Sequence, residues 1–370
     1  MNKKISIIEP TLIEVDDLKK ELNEIFKSKQ VSSSKYVKQF ENRCAQFLGV
    51  KHAICVSNAT SGLMLAVKGL KITGEVIVPS FTFTATCHSL VWNNIKPVFV
   101  DCEKGSYNID PKKIEEKITS KTTAILPVYI FGNPPKINEI MKIASKHNLK
   151  VVFDSAQAFG SVYKGKNVGC FGNCEVFSLS PTKVLTAIEG GIITTNDDEL
   201  AYFFKYGRDY GKSTNGDDID FIGLSARMSE IHALIGLKNL NIFEKSMNNR
   251  LRLIKLYKKL LMNLPGISFQ IISEDCKTSG NYMVIFIDKN KFGMSRNELF
   301  DLLSKRNIQT KKYFHPAIHL QKAYIDLGLK KQNLPITEKA SNEGLALPLY
   351  GHMQEDVVKY VCDQIIKVFG

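Results

Sequence analysis

Glu175-Val-Phe-Ser-Leu-Ser-Pro-Thr-Lys183-Val-Leu-Thr-Ala-Ile-Glu-Gly-Gly191-Ile-Ile-Thr-Thr195 is the segment from which the architecture of the chain can be worked out. It reads as a short strand, a polar turn carrying one lysine, a Gly-Gly break and a second strand. Lys183 is the only charged residue between Glu175 and Glu189. An amine held in a turn between two apolar strands is readily dried, which suits it to attack on a carbonyl. Taken alone, a surface lysine in a hairpin is the simpler reading. The upstream segments tip the balance.

A chain of 370 residues is too long for one small core. Two domains are expected, a large α/β unit over residues 1–245 and a smaller α+β unit over 246–370. Apolar and charged contents of 44% and 24% suit a soluble globular protein. The net charge of +13 is scattered among acids, with no arginine-rich run and no basic stripe interleaved with aromatics. Nucleic acid is therefore not an expected partner, whereas anionic small molecules are compatible. Of the eight cysteines only Cys170 and Cys174 are near neighbours, and no second pair matches them, so no metal is expected. There is no signal-like apolar segment and no run long enough to span a bilayer, which points to the cytoplasm.

Amphipathic spacing predicts helices over residues 11–28 and 35–48. Ala53-Ile-Cys-Val-Ser57 reads as a strand, followed by Asn58-Ala-Thr-Ser-Gly62 and a helical run over 63–70. A strand, a polar turn and a helix leave backbone N–H groups at the helix start, where a phosphate or an ordinary N-cap can use them. Strands at 75–79, 96–101, 123–128 and 150–154 then alternate with helices at 80–92, 111–118 and 137–147. The first of these helices is expected to open with Phe81 and Phe83. This alternation predicts a parallel sheet covered on both faces. Ligands of such sheets bind at the carboxyl ends of strands, where Ser57–Ser61, Pro79–Phe83 and Asp154–Gln157 fall.

Asp154 closes a buried strand, where an unpaired carboxylate is costly. It needs a cationic partner, a proton, or work as an N-cap. With Lys183 lying 29 residues further on, a more specific arrangement emerges. A pyridinium nitrogen held by Asp154, with an aldehyde on the same ring captured by Lys183, is the arrangement for pyridoxal 5'-phosphate. Its phosphate would rest on the Ala59-Thr60-Ser61 turn and on Ser178. Phe83 would cover the ring face, and Gln157 would reach the ring substituents.

Beyond residue 225, a long periodic run predicts a helix over Glu230–Leu261. Strands near 268–272 and 281–287, a helix at 296–306 and a terminal helix at 354–368 predict the smaller domain. A loop between them carries Tyr313, His315 and His319. Pro316 argues against one helix presenting both histidines, so a metal pair is not expected there.

Over nearly its whole length the chain resembles the DegT/DnrJ/EryC1/StrS family of pyridoxal-phosphate-dependent sugar-nucleotide aminotransferases. The segments that carry the resemblance include Ser57-Asn-Ala-Thr-Ser-Gly-Leu63, Val76-Ile-Val-Pro-Ser-Phe-Thr-Phe83 and Asp154-Ser-Ala-Gln-Ala-Phe-Gly160. Further matches are Phe177-Ser-Leu-Ser-Pro-Thr-Lys183 with Glu189-Gly-Gly191, and Gly223-Leu-Ser-Ala-Arg-Met-Ser-Glu-Ile231. The resemblance implies a type I pyridoxal-phosphate aminotransferase fold, α/β, with a mixed, mostly parallel sheet and a smaller C-terminal α+β domain. It implies Lys183 as the catalytic lysine joined to the cofactor, Asp154 on the ring nitrogen, Thr60 and Ser178 on the phosphate and Phe83 against the ring. It also implies a homodimer with active sites shared between chains.

Departures from the family pattern bear on substrate contacts. Ser225 stands where an asparagine reaching the neighbouring subunit's phosphate is usual, Ser34 where glycine is common, and Asp209-Tyr210-Gly211 where Asn-His-Gly is frequent. The loop with Tyr313, His315 and His319 lies near the sugar-nucleotide site in the family, so all three are candidate substrate contacts. The resemblance implies transfer of an amino group from L-glutamate to a nucleotide-linked keto-sugar, a dTDP-4-keto-6-deoxyhexose being the common case. A sugar dehydratase on the same scaffold and a non-catalytic regulator are the competing readings. Retention of Lys183 speaks against both, since dehydratase relatives carry histidine there.

Overall fold

The computed structural model describes residues 4–329 and 332–369. The chain begins with α1 (Lys19–Ser28), α2 (Lys35–Leu48), β1 (His52–Val56), α3 (Ala59–Gly69), β2 (Glu75–Pro79) and α4 (Thr84–Val91). It continues through β3 (Lys96–Val100), α5 (Pro111–Glu115), β4 (Thr122–Ile125), α6 (Ile137–Lys146) and β5 (Lys150–Asp154). A small ribbon, β6 (Val162–Tyr163) and β7 (Lys166–Asn167), precedes β8 (Cys174–Ser178), β9 (Gly191–Thr195) and α7 (Asp198–Gly207). The remainder is α8 (Glu230–Leu261), β10 (Ile267–Phe269), β11 (Cys276–Lys277), β12 (Met283–Ile287), α9 (Lys289–Phe292) and α10 (Arg296–Lys305). Last come α11 (Lys322–Asp326), α12 (Pro335–Glu343), β13 (Gly344–Leu347) and α13 (Glu355–Phe369).

Seven strands form one sheet in the order β1-β9-β8-β5-β4-β2-β3. β3, β2, β4, β5 and β8 run parallel, while β9 is antiparallel to both β8 and β1. The sheet is therefore mixed rather than wholly parallel. No helix crosses over between β8 and β9, so the chain can only return against β8. β2 and β9 are buried along their full length, as strands covered by helices on both faces must be. One covering core gathers Phe40, Phe153, Phe177 and Phe243, and the other gathers Val56, Leu63, Val176 and Phe204.

α2 shows how sequence sets an element's position. Tyr36, Val37, Phe40, Cys44 and Leu48 make one buried stripe, and Gly49 ends the helix at φ 70°. Its N-cap, Ser34, makes no side-chain cap. The buried carboxylate of Glu230 instead accepts the N–H groups of Ser34, Tyr36 and Val37 at 2.8, 2.7 and 3.1 Å. A negative charge there also complements the helix dipole.

Several boundaries differ from the sequence expectation. The run over 11–28 helps form a helix only from Val15, as a 3₁₀ turn leading into α1, because Ile13 is tied by its N–H to Asn239 Oδ1 at 3.1 Å. The helix expected at 80–92 starts at Thr84. Phe81 fills a wholly buried aromatic cluster and Ser80 is bonded to His319 Nδ1 at 2.7 Å, which keeps residues 80–83 outside the helix. α5 stops at Glu115, where Lys117 and Ile118 turn back to bond Ile114 and Glu115.

A separate core collects Leu253, Tyr257, Ile285, Leu299, Leu345 and Val361 around the sheet β10-β12-β13. Ile5 belongs to this core and bridges Ile308. The expected division at residues 245 and 246 falls inside α8, which contributes Ala233 and Phe243 to a core of the seven-stranded sheet and Leu253 and Tyr257 to that of the three-stranded one.

Candidate active site

The carboxyl ends of the parallel strands open into a crevice of about 380 Å³ where the two domains meet. Asn58, Ala59, Thr60, Phe83, Asp154, Gln157, Ser178, Lys183 and Glu189 line it from the large domain. Tyr282, Lys311, Tyr313 and Phe314 close it from the other side.

At one end lies the start of α3. Asn58 caps the helix by accepting the Ser61 N–H at 2.9 Å, and the first helical bond runs from Gly62 N–H to the Asn58 carbonyl at 3.1 Å. The N–H groups of Ala59 and Thr60 precede that bond and face the crevice end, where the helix dipole favours an anion. β9 presses against this end through Gly191. A Cβ built there would meet the Asn58 carbonyl carbon at 2.7 Å and the Ala59 nitrogen at 2.8 Å. A Cβ built on Gly190 would instead meet Met228 Cε at 2.5 Å, the tip of a flexible side chain. It is Gly191 that serves the close approach of backbones. Ser178, paired with Gly191 across the hairpin, is delivered to the same end with its hydroxyl 3.3 Å from Ser180 Oγ.

Asp154 marks the other wall. It is 4% exposed, and its two oxygens accept Thr86 Oγ1–H at 2.7 Å and the Ala156 N–H at 3.1 Å. Burial pushes its carboxyl above the ordinary value, while those two bonds and the Lys183 charge pull against it. Lys183 rises from the turn after β8, its N–H bonded to the Ser180 carbonyl at 3.0 Å. Its ammonium lies 5.9 Å from the ring centroid of Tyr282. Burial works against ionising Tyr282, yet the Lys183 charge and bonds with Thr182, Tyr313 and Asn281 outweigh it and leave that hydroxyl below the usual phenol value. Tyr313, stacked edge-on at 4.9 Å, is pushed the other way by burial.

Gln157 is also buried in this wall. Its Oε1 accepts the Phe131 N–H at 2.9 Å, so the donors its amide has to offer are those of Nε2. Phe83, at the N-cap of α4, presents a ring that is 57% exposed.

Two expected substrate contacts lie elsewhere. His319 does not line this crevice: it is 3% exposed, bonded to Ser80 Oγ and set 3.3 Å from Glu338 Oε1. It pins the end of β2 to the 310–320 loop. His315 faces outward beside Ser341 Oγ at 3.3 Å, and burial together with Arg296 and Lys312 keeps its imidazole below the usual pKa. Of the three, only Tyr313 lines the crevice. Ser225 is likewise absent from its own chain's crevice and lies exposed beside Asp209. Among the described residues no group of three or more His, Cys, Asp or Glu gathers as a metal site, and no helix is long and apolar enough to cross a membrane. All eight cysteines are unpaired.

Tyr282 and Lys311 were not legible as site residues. Both come from the second domain, and neither carries a local motif. Thr86 could have been found, since a buried Asp154 demands a donor and Thr82 and Thr86 stand four residues apart beside Phe83.

The model of the DegT/DnrJ/EryC1/StrS aminotransferase family matches residues 13–366. The chain belongs to that family. A dTDP-4-amino-4,6-dideoxy-D-glucose transaminase of Escherichia coli is 36% identical, with 96% of each chain covered. A GDP-perosamine synthase of Escherichia coli O157:H7 is 33% identical, covering 100% of this chain and 99% of its own. The structure of DesI solved in the presence of its TDP-sugar product superposes with a TM-score of 0.94 at 31% identity, covering 100% of this chain and 94% of its own. The family's aminotransferase fold, a mixed sheet with a smaller α+β domain, is the fold of this enzyme.

Proposed function

We propose that the crevice binds pyridoxal 5'-phosphate and that the enzyme moves an amino group from L-glutamate to a nucleotide-linked keto-sugar. The observation that carries this is the convergence of Asp154, Lys183, Ser178 and the α3 N-terminus on one cavity of suitable size. The donor set fits the cofactor. A buried carboxylate suits a protonated ring nitrogen, and the glycine-cleared helix end suits a phosphate.

When bound, the cofactor supplies a protonated pyridine ring that accepts electrons from the carbon losing its proton. Asp154 would keep the proton on the ring nitrogen. Ala59, Thr60 and Ser178 would hold the phosphate, Phe83 would cover the ring, and Gln157 would donate to a ring substituent. Lys183 would hold the cofactor's aldehyde carbon and would act as general base when its amine is free. Its Nζ takes the α-proton of glutamate in the first half-reaction. In the second it delivers a proton to the sugar carbon that had been the ketone.

The 36% identity to a dTDP-sugar transaminase favours a dTDP-4-keto-6-deoxyhexose and a role in amino-sugar supply for surface polysaccharide such as O-antigen. The GDP-perosamine synthase at 33% makes GDP the alternative nucleotide. Ser225 is exposed and outside the crevice lining, with Tyr210, Ile219 and Ile222 exposed nearby, which favours a homodimer in which Ser225 reaches the neighbouring site. A nucleotide-sugar substrate and eight unpaired thiols favour the cytoplasm.

The test is direct. Protein loaded with pyridoxal phosphate should be yellow and bleached by glutamate. Screening keto-sugar nucleotides should then yield an amine. Loss of a hydroxyl without amination would favour a dehydratase, and salt-sensitive DNA retention with no colour would favour a regulator.

A further inference from the structure

The first turn of α4 does more than present Phe83. Three residues on, Thr86 is 0% exposed and places its hydroxyl 2.7 Å from Asp154 Oδ2. Behind it the Thr82 hydroxyl, 1% exposed, stands 2.9 Å from Thr86 Oγ1. The directions of these bonds follow from proton counting. A charged carboxylate only accepts, so the single Thr86 proton goes to Asp154. Thr86 oxygen is then the acceptor, and Thr82 must be the donor. Two hydroxyl dipoles therefore line up toward one carboxylate oxygen.

We propose that Thr86, with Thr82 behind it, is a positioning residue that holds the Asp154 carboxylate charged and aimed into the crevice. This deepens the cofactor reading and rests on it. The second oxygen is fixed by the Ala156 N–H at 3.1 Å, so the carboxyl group cannot rotate without breaking a bond on each side. In a dry site such fixed, aligned donors count for more than they would in water. Burial opposes the charge, and the titratable groups near it are Lys183, which favours it, and the buried Cys87 thiol on α4, which Asp154 pushes up. Without Thr86 the charged form would rest on the Ala156 amide and on Lys183 alone.

The test compares Thr86→Val, which removes the hydroxyl, with Thr86→Ser, which keeps it. Infrared titration of the cofactor-free protein, with Asp154→Asn as blank, reads protonation of this one carboxyl. Thr86→Val should protonate at higher pH than the wild type, and Thr86→Ser should titrate like it. In the loaded enzyme Thr86→Val should retain pyridoxal phosphate about tenfold less tightly, the worth of one hydrogen bond to a charged group. Its kcat should fall with little change in KM for the sugar. A Thr86→Val titration that coincides with the wild type overturns the proposal. Should Thr86→Val not fold, Thr82→Val must shift the titration the same way by less, and no shift overturns it too. If the wild type binds no pyridoxal phosphate, the reading of the crevice fails, while the cofactor-free titration still decides the role of Thr86.

Discussion

Ser178 stands opposite Gly191 in the β8–β9 pair, and Gly191 is in turn so close to α3 that a methyl group there would meet the Asn58 carbonyl carbon at 2.7 Å. A hydroxyl and a helix N-terminus that are far apart in sequence are thereby held side by side. Gly191→Ala should push α3 away from the sheet. The expected stability loss is about 1–3 kcal/mol by urea unfolding, since the opposing atoms are backbone and cannot swing aside. Retention of pyridoxal phosphate should fall more than stability alone explains. Unchanged retention would mean that this end of the crevice holds no phosphate.

Lys183→Ala should abolish turnover, with kcat falling about a thousandfold or more. The variant should still take up pyridoxamine phosphate, because Asp154, Ser178 and the α3 N-terminus remain. Substantial residual transamination would remove Lys183 from the mechanism.

Glu230→Ala should be among the most damaging changes remote from the chemistry. It strips the acceptor from three N–H groups at the start of α2, at Ser34, Tyr36 and Val37. Each buried donor left unpaired costs about 1–3 kcal/mol, so a total loss of about 3 kcal/mol or more is expected. Chemical denaturation of the variant against wild type measures it.

Glu175 predicts a pH dependence of stability. It is wholly buried, accepting from Gly169 and Phe171 N–H at 2.8 Å each and from Ser155 Oγ. Burial raises its carboxyl to about 7 despite those bonds. The native state therefore binds more protons than the unfolded chain between the ordinary glutamate value and about 7. Through this group, stability should fall as pH rises across that window. Melting temperatures of wild type and Glu175→Gln measured on both sides should show a steeper decline in wild type. Parallel curves would mean that the site is hydrated.

The order of strands and helices in the large domain was readable because buried parallel strands leave continuous apolar runs and covering helices leave a 3.6-residue stripe. The limits of those elements were less so. The stretch Ser80–Phe83 has no local feature that stops a helix; the burial of Phe81 and the bond from Ser80 to His319 do. The same bond holds His319 away from the crevice that its loop position suggests it would line. A histidine in a polar loop looks available until the fold buries it.

The residues taken in order already specify the lysine in its turn, the aspartate at a strand end, the helix start after β1 and the alternation that aims all three at one sheet edge. These are local patterns, set by backbone propensity and burial within a few residues. Which groups support them is settled only by packing across the fold. Thr86 reaches Asp154 across 68 positions, Glu230 reaches Tyr36 across 194, and Tyr282 arrives from another domain to face Lys183. Such pairings follow from how whole layers pack, and no single segment carries enough information to specify a partner it meets only after folding.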